Sequence, residues 1–211
     1  MPKGVKFIAD SFAVRALTVL DLSTNAIEDD GLYFLTTASY LSNLNKLYVN
    51  DCGLTSVAAK HLNKSRFLGK LRALQIGKNQ LKEEGARFLA EAPILDKLTM
   101  LVLNFNDIKE EGVLALQSSI YLKNLTYLDL SHNQIGQSGA YILSITTNLT
   151  QLKYLSLSYN NIGEEGYMRI AESEAFPLLQ ELVIYIGNGM NAKSKAYLHR
   201  SQKLRSLNHI S

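Results

Sequence analysis

Cysteine is nearly absent: Cys52 is the single one in 211 residues, which excludes an internal disulfide and points to a reducing compartment. No stretch approaches the roughly 18 consecutive apolar residues that a membrane-crossing helix needs, so no span is expected. The first residues, MPKGVKFIADSF, lack the apolar run of a secretory signal. A net charge of +3 is too small for a whole-protein field that would gather nucleic acid, although the charges are unevenly spread. There is no glycine loop for phosphate and no cofactor motif, and His61, His199 and His209 show no metal-ligand spacing. Cofactor-binding, metal-binding and catalytic residues are accordingly expected to be none.

What the chain does contain is leucine in register. Of its residues 46% are hydrophobic, enough to line a continuous core. In residues 125–143, LTYLDLSHNQIGQSGAYIL, a leucine at position zero is followed by Leu128 at three, Leu130 at five, Asn133 at eight, Ile135 at ten, Gly139 at fourteen and Leu143 at eighteen. The same frame begins at Leu17, Leu44, Leu71, Leu98, Leu125, Leu152 and Leu179, each 27 residues after the last. Position ten reads Ile27, Leu54, Leu81, Ile108, Ile135, Ile162, which confirms it. A period of this length carrying L-x-x-L-x-L-x-x-N is the leucine-rich repeat signature.

Most units continue I-x-x-x-G and then a helical leucine/alanine pattern, as in IKEEGVLALQ at 108–117, and so the chain resembles the ribonuclease-inhibitor-like branch of leucine-rich repeat proteins from about residue 4 to 200. It departs from that branch in a slightly shorter period and in Cys52, which stands in the asparagine column as in the cysteine-containing branch. The resemblance implies an α/β fold: a right-handed, curved solenoid with a parallel sheet on its concave face and helices on its convex face. Extracellular proteins of this type usually carry cysteine-rich caps, which again favours a cytoplasmic site of action. A bacterial effector delivered into a host cytoplasm would look the same.

An unbroken repeat offers no internal boundary, so residues 1–211 read as a single domain. A half-repeat over about 1–16 would supply a capping helix, because Gly4, Ile8 and Val14 lie 27 residues before Gly31, Leu35 and Leu41. A partial repeat is expected from about 201 to 211, with Leu204 and Leu207 opening a further strand. The last full unit is irregular: GNGMNAK at 187–193 shifts the asparagine to Asn188 and removes the helix glycine.

Alternation around positions two to six predicts a strand, and the change of period after the asparagine predicts a short helix. The position-eight asparagines Asn25, Asn79, Asn106, Asn133 and Asn160 can donate and accept where the chain leaves its strand, a structural task. Paired acids before the helix glycine, such as Glu83-Glu84-Gly85 and Glu110-Glu111-Gly112, suit the positive end of a helix dipole.

Function is expected in positions the frame leaves free, chiefly two, four, six and seven on the concave side. Met100, Tyr127 and Tyr154 should form one column and Phe105, His132 and Tyr159 another, with Val102, Asp129, Ser156 and Val183 between them and Tyr185 extending the patch. Contiguous exposed aromatics and methionine mark a binding surface. The leading expectation is a monomeric scaffold that grips a protein partner there, with no small-molecule substrate. The alternative is a GTPase regulator, since some proteins of this fold are similar to activators of nuclear-transport GTPases, though no matching motif is present. Nucleic-acid binding through Lys193, Lys195, Arg200, Lys203 and Arg205 is disfavoured. Asp129, His132, Ser156 and Ser158 supply the residue types of a nucleophilic triad, but an open sheet has neither oxyanion site nor water-excluding pocket.

Overall fold

The computed structural model describes residues 2–202, 204 and 209–210. Leu207, Lys203 and Arg205, named above for the terminal strand and the basic run, lie outside the described residues. Eight strands form one parallel sheet in chain order: β1 (Val19–Asp21), β2 (Lys46–Tyr48), β3 (Ala73–Gln75), β4 (Met100–Val102), β5 (Tyr127–Asp129), β6 (Tyr154–Ser156), β7 (Glu181–Val183) and β8 (His209–Ile210). The helices are α1 (Pro2–Ala9), α2 (Glu28–Thr37), α3 (Ser56–Lys64), α4 (Lys82–Ala90), α5 (Lys109–Gln117), α6 (Gly136–Ser144), α7 (Gly163–Glu172) and α8 (Ala192–Arg200). The whole is a right-handed, curved α/β solenoid of leucine-rich repeats, sheet on the concave face and helices on the convex face.

Strands β1 to β7 are only three residues long because one inward side chain per strand, with its flanking leucines, is what the core takes from each unit. Leu47, Leu74, Leu101, Leu128, Leu155 and Leu182 are each paired with their equivalents and wholly buried. The core is a single hydrophobic stack from Val5 to Leu204. At its N-terminal end α1 buries Val5 and Ala9 and packs on α2.

Where each chain segment leaves its strand, the sheet ladder ends and buried amides need new partners. The asparagine column supplies them. The Asn133 carboxamide oxygen accepts from the backbone N–H of Asn106 at 3.0 Å and of Ile108 at 3.4 Å, while its NH2 donates to the carbonyls of Leu103, Leu130 and Ser131 at 3.0–3.1 Å. Asn160 repeats this toward Asn133 and Ile135, and Asn188 toward Asn160 and Ile162. Each asparagine thus ties two consecutive units. In the second unit Cys52 reproduces the donor half only, its thiol reaching the Leu22 carbonyl at 3.2 Å. That thiol is buried, and desolvation pushes its pKa up, away from the thiolate a nucleophile requires.

The helix glycines sit where neighbouring elements touch. A Cβ on Gly112 would lie 2.8 Å from the Ile108 Cβ and 3.1 Å from the Ala86 Cβ, so α5 could not approach α4 as it does. The acids around these glycines serve their neighbours as well as the dipole: Asp29 accepts from the Thr55 N–H and hydroxyl, and Glu83 pairs with Lys109 at 2.7 Å. The final unit departs as its sequence suggests. β7 pairs β8 with a 28-residue offset (Glu181 with His209), Asn188 takes the ladder position, and Ser194 stands buried at the glycine site of α8. Tyr167, wholly buried where other units carry Ala86, Val113 or Ala140, donates its hydroxyl to the Ile184 carbonyl just before the inserted residue. Desolvation raises its pKa to about 12.

Two stability outcomes follow from this geometry. Leu128→Ala should cost about 2–5 kcal/mol through the cavity it leaves, read by chemical denaturation; parent-like unfolding would contradict its central place. Asn133→Ala should cost at least about 2 kcal/mol, since it orphans the buried N–H groups of Asn106 and Ile108, whereas Asn25→Ala should cost under about 1 kcal/mol. The contrast arises because Asn25 is exposed and its side chain donates only to Leu22 and Ser23 within its own turn.

Candidate protein-binding face

Strand pairing places the concave columns directly. Met100 is opposite Tyr127 and Tyr127 opposite Tyr154, while Val102, Asp129, Ser156 and Val183 succeed one another on the next row. The Tyr127 and Tyr154 rings stack with centroids 4.0 Å apart and planes 1° from parallel. In the second column His132 is sandwiched between Phe105 at 3.7 Å and Tyr159 at 4.0 Å. These separations are shorter than the roughly 4.8 Å between strands. Side chains on the inside of a curved sheet converge, and curvature therefore builds the stacks.

The second column is set by backbone conformation. Phe105, His132 and Tyr159 have φ of 54°, 55° and 57°, in the left-handed region, as do Thr24, Asp51 and Lys78 at the same position of earlier units. The turn that leaves each strand imposes this conformation whatever the side chain. For a residue with a Cβ it costs roughly 1–2 kcal/mol, and stacking returns about 0.5–1.5 kcal/mol per ring pair. Beyond the column, the Lys78 ammonium lies 5.8 Å from the Phe105 ring, and the left-handed Gly187 lets the next turn press on Tyr159, where a Cβ would meet the ring at 2.3 Å.

Exposure varies across the patch. Phe105 and Tyr159 are exposed at 42% and 47%, whereas Met100, Val102, Tyr127, Asp129, His132, Tyr154, Val183 and Tyr185 are half-buried. Tyr185 leans partly onto the core instead of lying flat on the face. Ile186, one residue before the left-handed Gly187 that lies against Tyr159, is 55% exposed and extends the apolar surface. The 27-residue frame puts it in the Tyr159 column, although the candidates drawn from sequence leave it out; the inserted residue places Gly187 in that column instead.

The polar groups are arranged for structure. One Asp129 carboxylate oxygen accepts from the Ser131 N–H at 2.9 Å and its hydroxyl at 2.7 Å, and the His132 ring is held by stacking. Ser158 presents a buried hydroxyl with no partner, and Ser156 is buried beside it. No acid–histidine–serine relay exists among the described residues, and no metal-sized group of ligands occurs among them. Burial lowers the His132 pKa, with Asp129 opposing, and raises those of Tyr127, which also faces the Tyr154 hydroxyl, and Tyr185.

A stack of short parallel strands with an asparagine ladder and an open, side-chain-lined face defines the class: a leucine-rich repeat solenoid, a fold that in general serves as a binding scaffold. The family model described as Leucine Rich repeat matches residues 15–35, 97–116, 121–144 and 148–171. No curated protein matches the chain. Among the described residues no helix is long and apolar enough to cross a membrane.

His132 should titrate below its ordinary value of about 6.5, measurable from its ring protons by NMR. Because the folded pKa lies below the unfolded one, the neutral ring's contribution is present above about 6.5 and is lost as pH falls through the folded value. Stability should therefore decline on acidification, and less so in His132→Gln. A His132 midpoint at or above 6.5 would contradict the sandwich.

Proposed function

We propose that the protein is an interaction scaffold whose concave face, over β4 to β7, holds a partner protein. The stacked aromatic columns carry this reading. Three large rings occupy a backbone position that favours small or polar residues, and together with Tyr127 and Tyr154 they make a rigid apolar surface that the solenoid itself does not need. Such rings lose little conformational entropy on binding, and tyrosine keeps a hydroxyl for specificity. Tyr127, Tyr154 and Phe105 are the anchors; Met100, Val102, Tyr159, Val183 and Tyr185 complete the surface, with Asp129 and His132 as its polar groups.

The finer placement belongs to the same proposal. The I-x-x-x-G units support the ribonuclease-inhibitor-like branch. The free, buried Cys52 accords with work in a cytosol, whether the protein's own or that of a host into which a bacterial effector is delivered. The chain is proposed to act as one domain and one copy.

The test is capture from candidate cytosols followed by affinity measurement on the partner found. Replacing Tyr127 and Tyr154 with alanine should weaken binding by at least about 2 kcal/mol, roughly thirtyfold, with little loss of fold. Glu110→Ala with Glu111→Ala, on the convex side, should leave binding nearly unchanged. The opposite pattern would move the site to the helices.

A further inference from the structure

Beside the tyrosine column runs a second feature that the repeat does not require. The rim of the solenoid on which the strands begin carries Lys46, Lys70, Arg72, Lys97, Lys123 and Lys153, all exposed. None of the six is within ion-pair distance of a carboxylate among the described residues; the ion pairs there belong to other lysines and arginines. Lys70 touches only the Asn43 carboxamide and Arg72 the Lys97 carbonyl. The backbone aligns the strand starts beside which they lie. Arg72 accepts from Thr99, Thr99 from Thr126, and Thr126 from Lys153, through N–H···O bonds of 2.8–2.9 Å, one unit per step. Lys153 immediately precedes Tyr154, and Lys46 opens β2 in the same column as Tyr127.

Successive units lie roughly 5 Å apart, well inside the screening length of about 8 Å at physiological salt, so these charges act as one field. Like charges side by side are unfavourable; among the described residues the acids nearest the row are Asp96, exposed within it, and Glu181, whose N–H donates to the Lys153 carbonyl at its end. The opposite rim, where the helices begin, is acidic, with Glu28, Asp30, Glu84, Glu110 and Glu111. The molecule therefore presents a partner with an apolar aromatic face bordered along one side by positive charge.

We infer that the partner contributes an acidic protein segment, which lies along this rim while its apolar side chains meet the tyrosine column. The inference rests on the scaffold reading and names its partner's chemistry. Nucleic acid would use the same charges, but single strands bind by stacking bases on free aromatic faces. Here the ring faces are spent on each other, and Asp129 and Glu181 stand beside them. An acidic peptide needs only the row of cations and the ring edges.

The experiment uses the full chain and a fluorescent peptide of about ten glutamates, long enough to follow the row at roughly 3.3 Å per residue. Poly-uridine of similar length and phosphatidylserine vesicles are run in parallel. The peptide should bind at about 50 mM salt and weaken about tenfold or more by about 200 mM, as screening requires. Lys97→Glu with Lys123→Glu and Lys153→Glu should abolish it, and Lys60→Glu, exposed on the convex helix α3, should leave it within about threefold. Absence of peptide binding at low salt, an unchanged affinity in the triple lysine variant, or tighter binding of poly-uridine or vesicles would each overturn the inference. Loss of a captured partner in the Tyr127 and Tyr154 variant but not in the triple lysine variant would also overturn it, while leaving the scaffold function standing.

Discussion

From the third unit onward this solenoid depends on the buried carboxamide at the end of each strand. Three-residue strands leave most of each unit's backbone without a ladder, and a buried amide or carbonyl without a partner costs about 1–3 kcal/mol. One asparagine per unit answers several such groups and reaches across to the preceding unit as it does so. Burial then becomes affordable for the leucines above and below it. The Asn79–Asn106–Asn133–Asn160–Asn188 line is continuous in the middle of the stack and weakens toward the N-terminal end, where Cys52 donates but cannot accept through a carbonyl and Asn25 serves only its own turn.

The same constraint creates the proposed binding surface. Since the carboxamide fixes where the chain turns out of the strand, the residue just before it is forced into a left-handed backbone and is denied to the core. Units are free to place any side chain there. The first three use threonine, aspartate and lysine; the next three use Phe105, His132 and Tyr159, and curvature closes those rings into contact. The concave face is thus polar at one end and aromatic at the other without any change in the fold beneath it. The left-handed cost is the same in both halves, so backbone strain does not account for the aromatic residues.

The last unit shows how much irregularity the ladder tolerates. One extra residue enters before Asn188, yet the carboxamide still reaches Asn160 and Ile162. Tyr167 takes up the altered geometry, its ring filling space and its hydroxyl answering the Ile184 carbonyl. Ser194, capped by Asn191, replaces the helix glycine. The repeat ends through local substitutions that preserve hydrogen bonding.

A 27-residue period is a local property of the chain, and so the strand order, the parallel register and the inward leucines could be read from spacing alone: Leu101, Leu128 and Leu155 had nowhere else to go. The columns Met100–Tyr127–Tyr154 and Phe105–His132–Tyr159 were legible for the same reason, because register carries equivalent positions into neighbouring strands. What spacing could not decide was contact. Whether the rings would stack, whether His132 would meet Asp129 or two aromatic faces, whether Tyr185 would lie on the face or lean into the core, and where Ile186 would stand after the inserted residue all depend on curvature and turn conformation. The basic rim was hidden in sequence because Lys70, Arg72, Lys97, Lys123 and Lys153 occupy different positions of the frame and become a row only when successive units are laid side by side. Periodicity determined the scaffold, since a repeated pattern has one way to bury itself; tertiary curvature and stacking decided the surface, since they alone set the distances between side chains of different units.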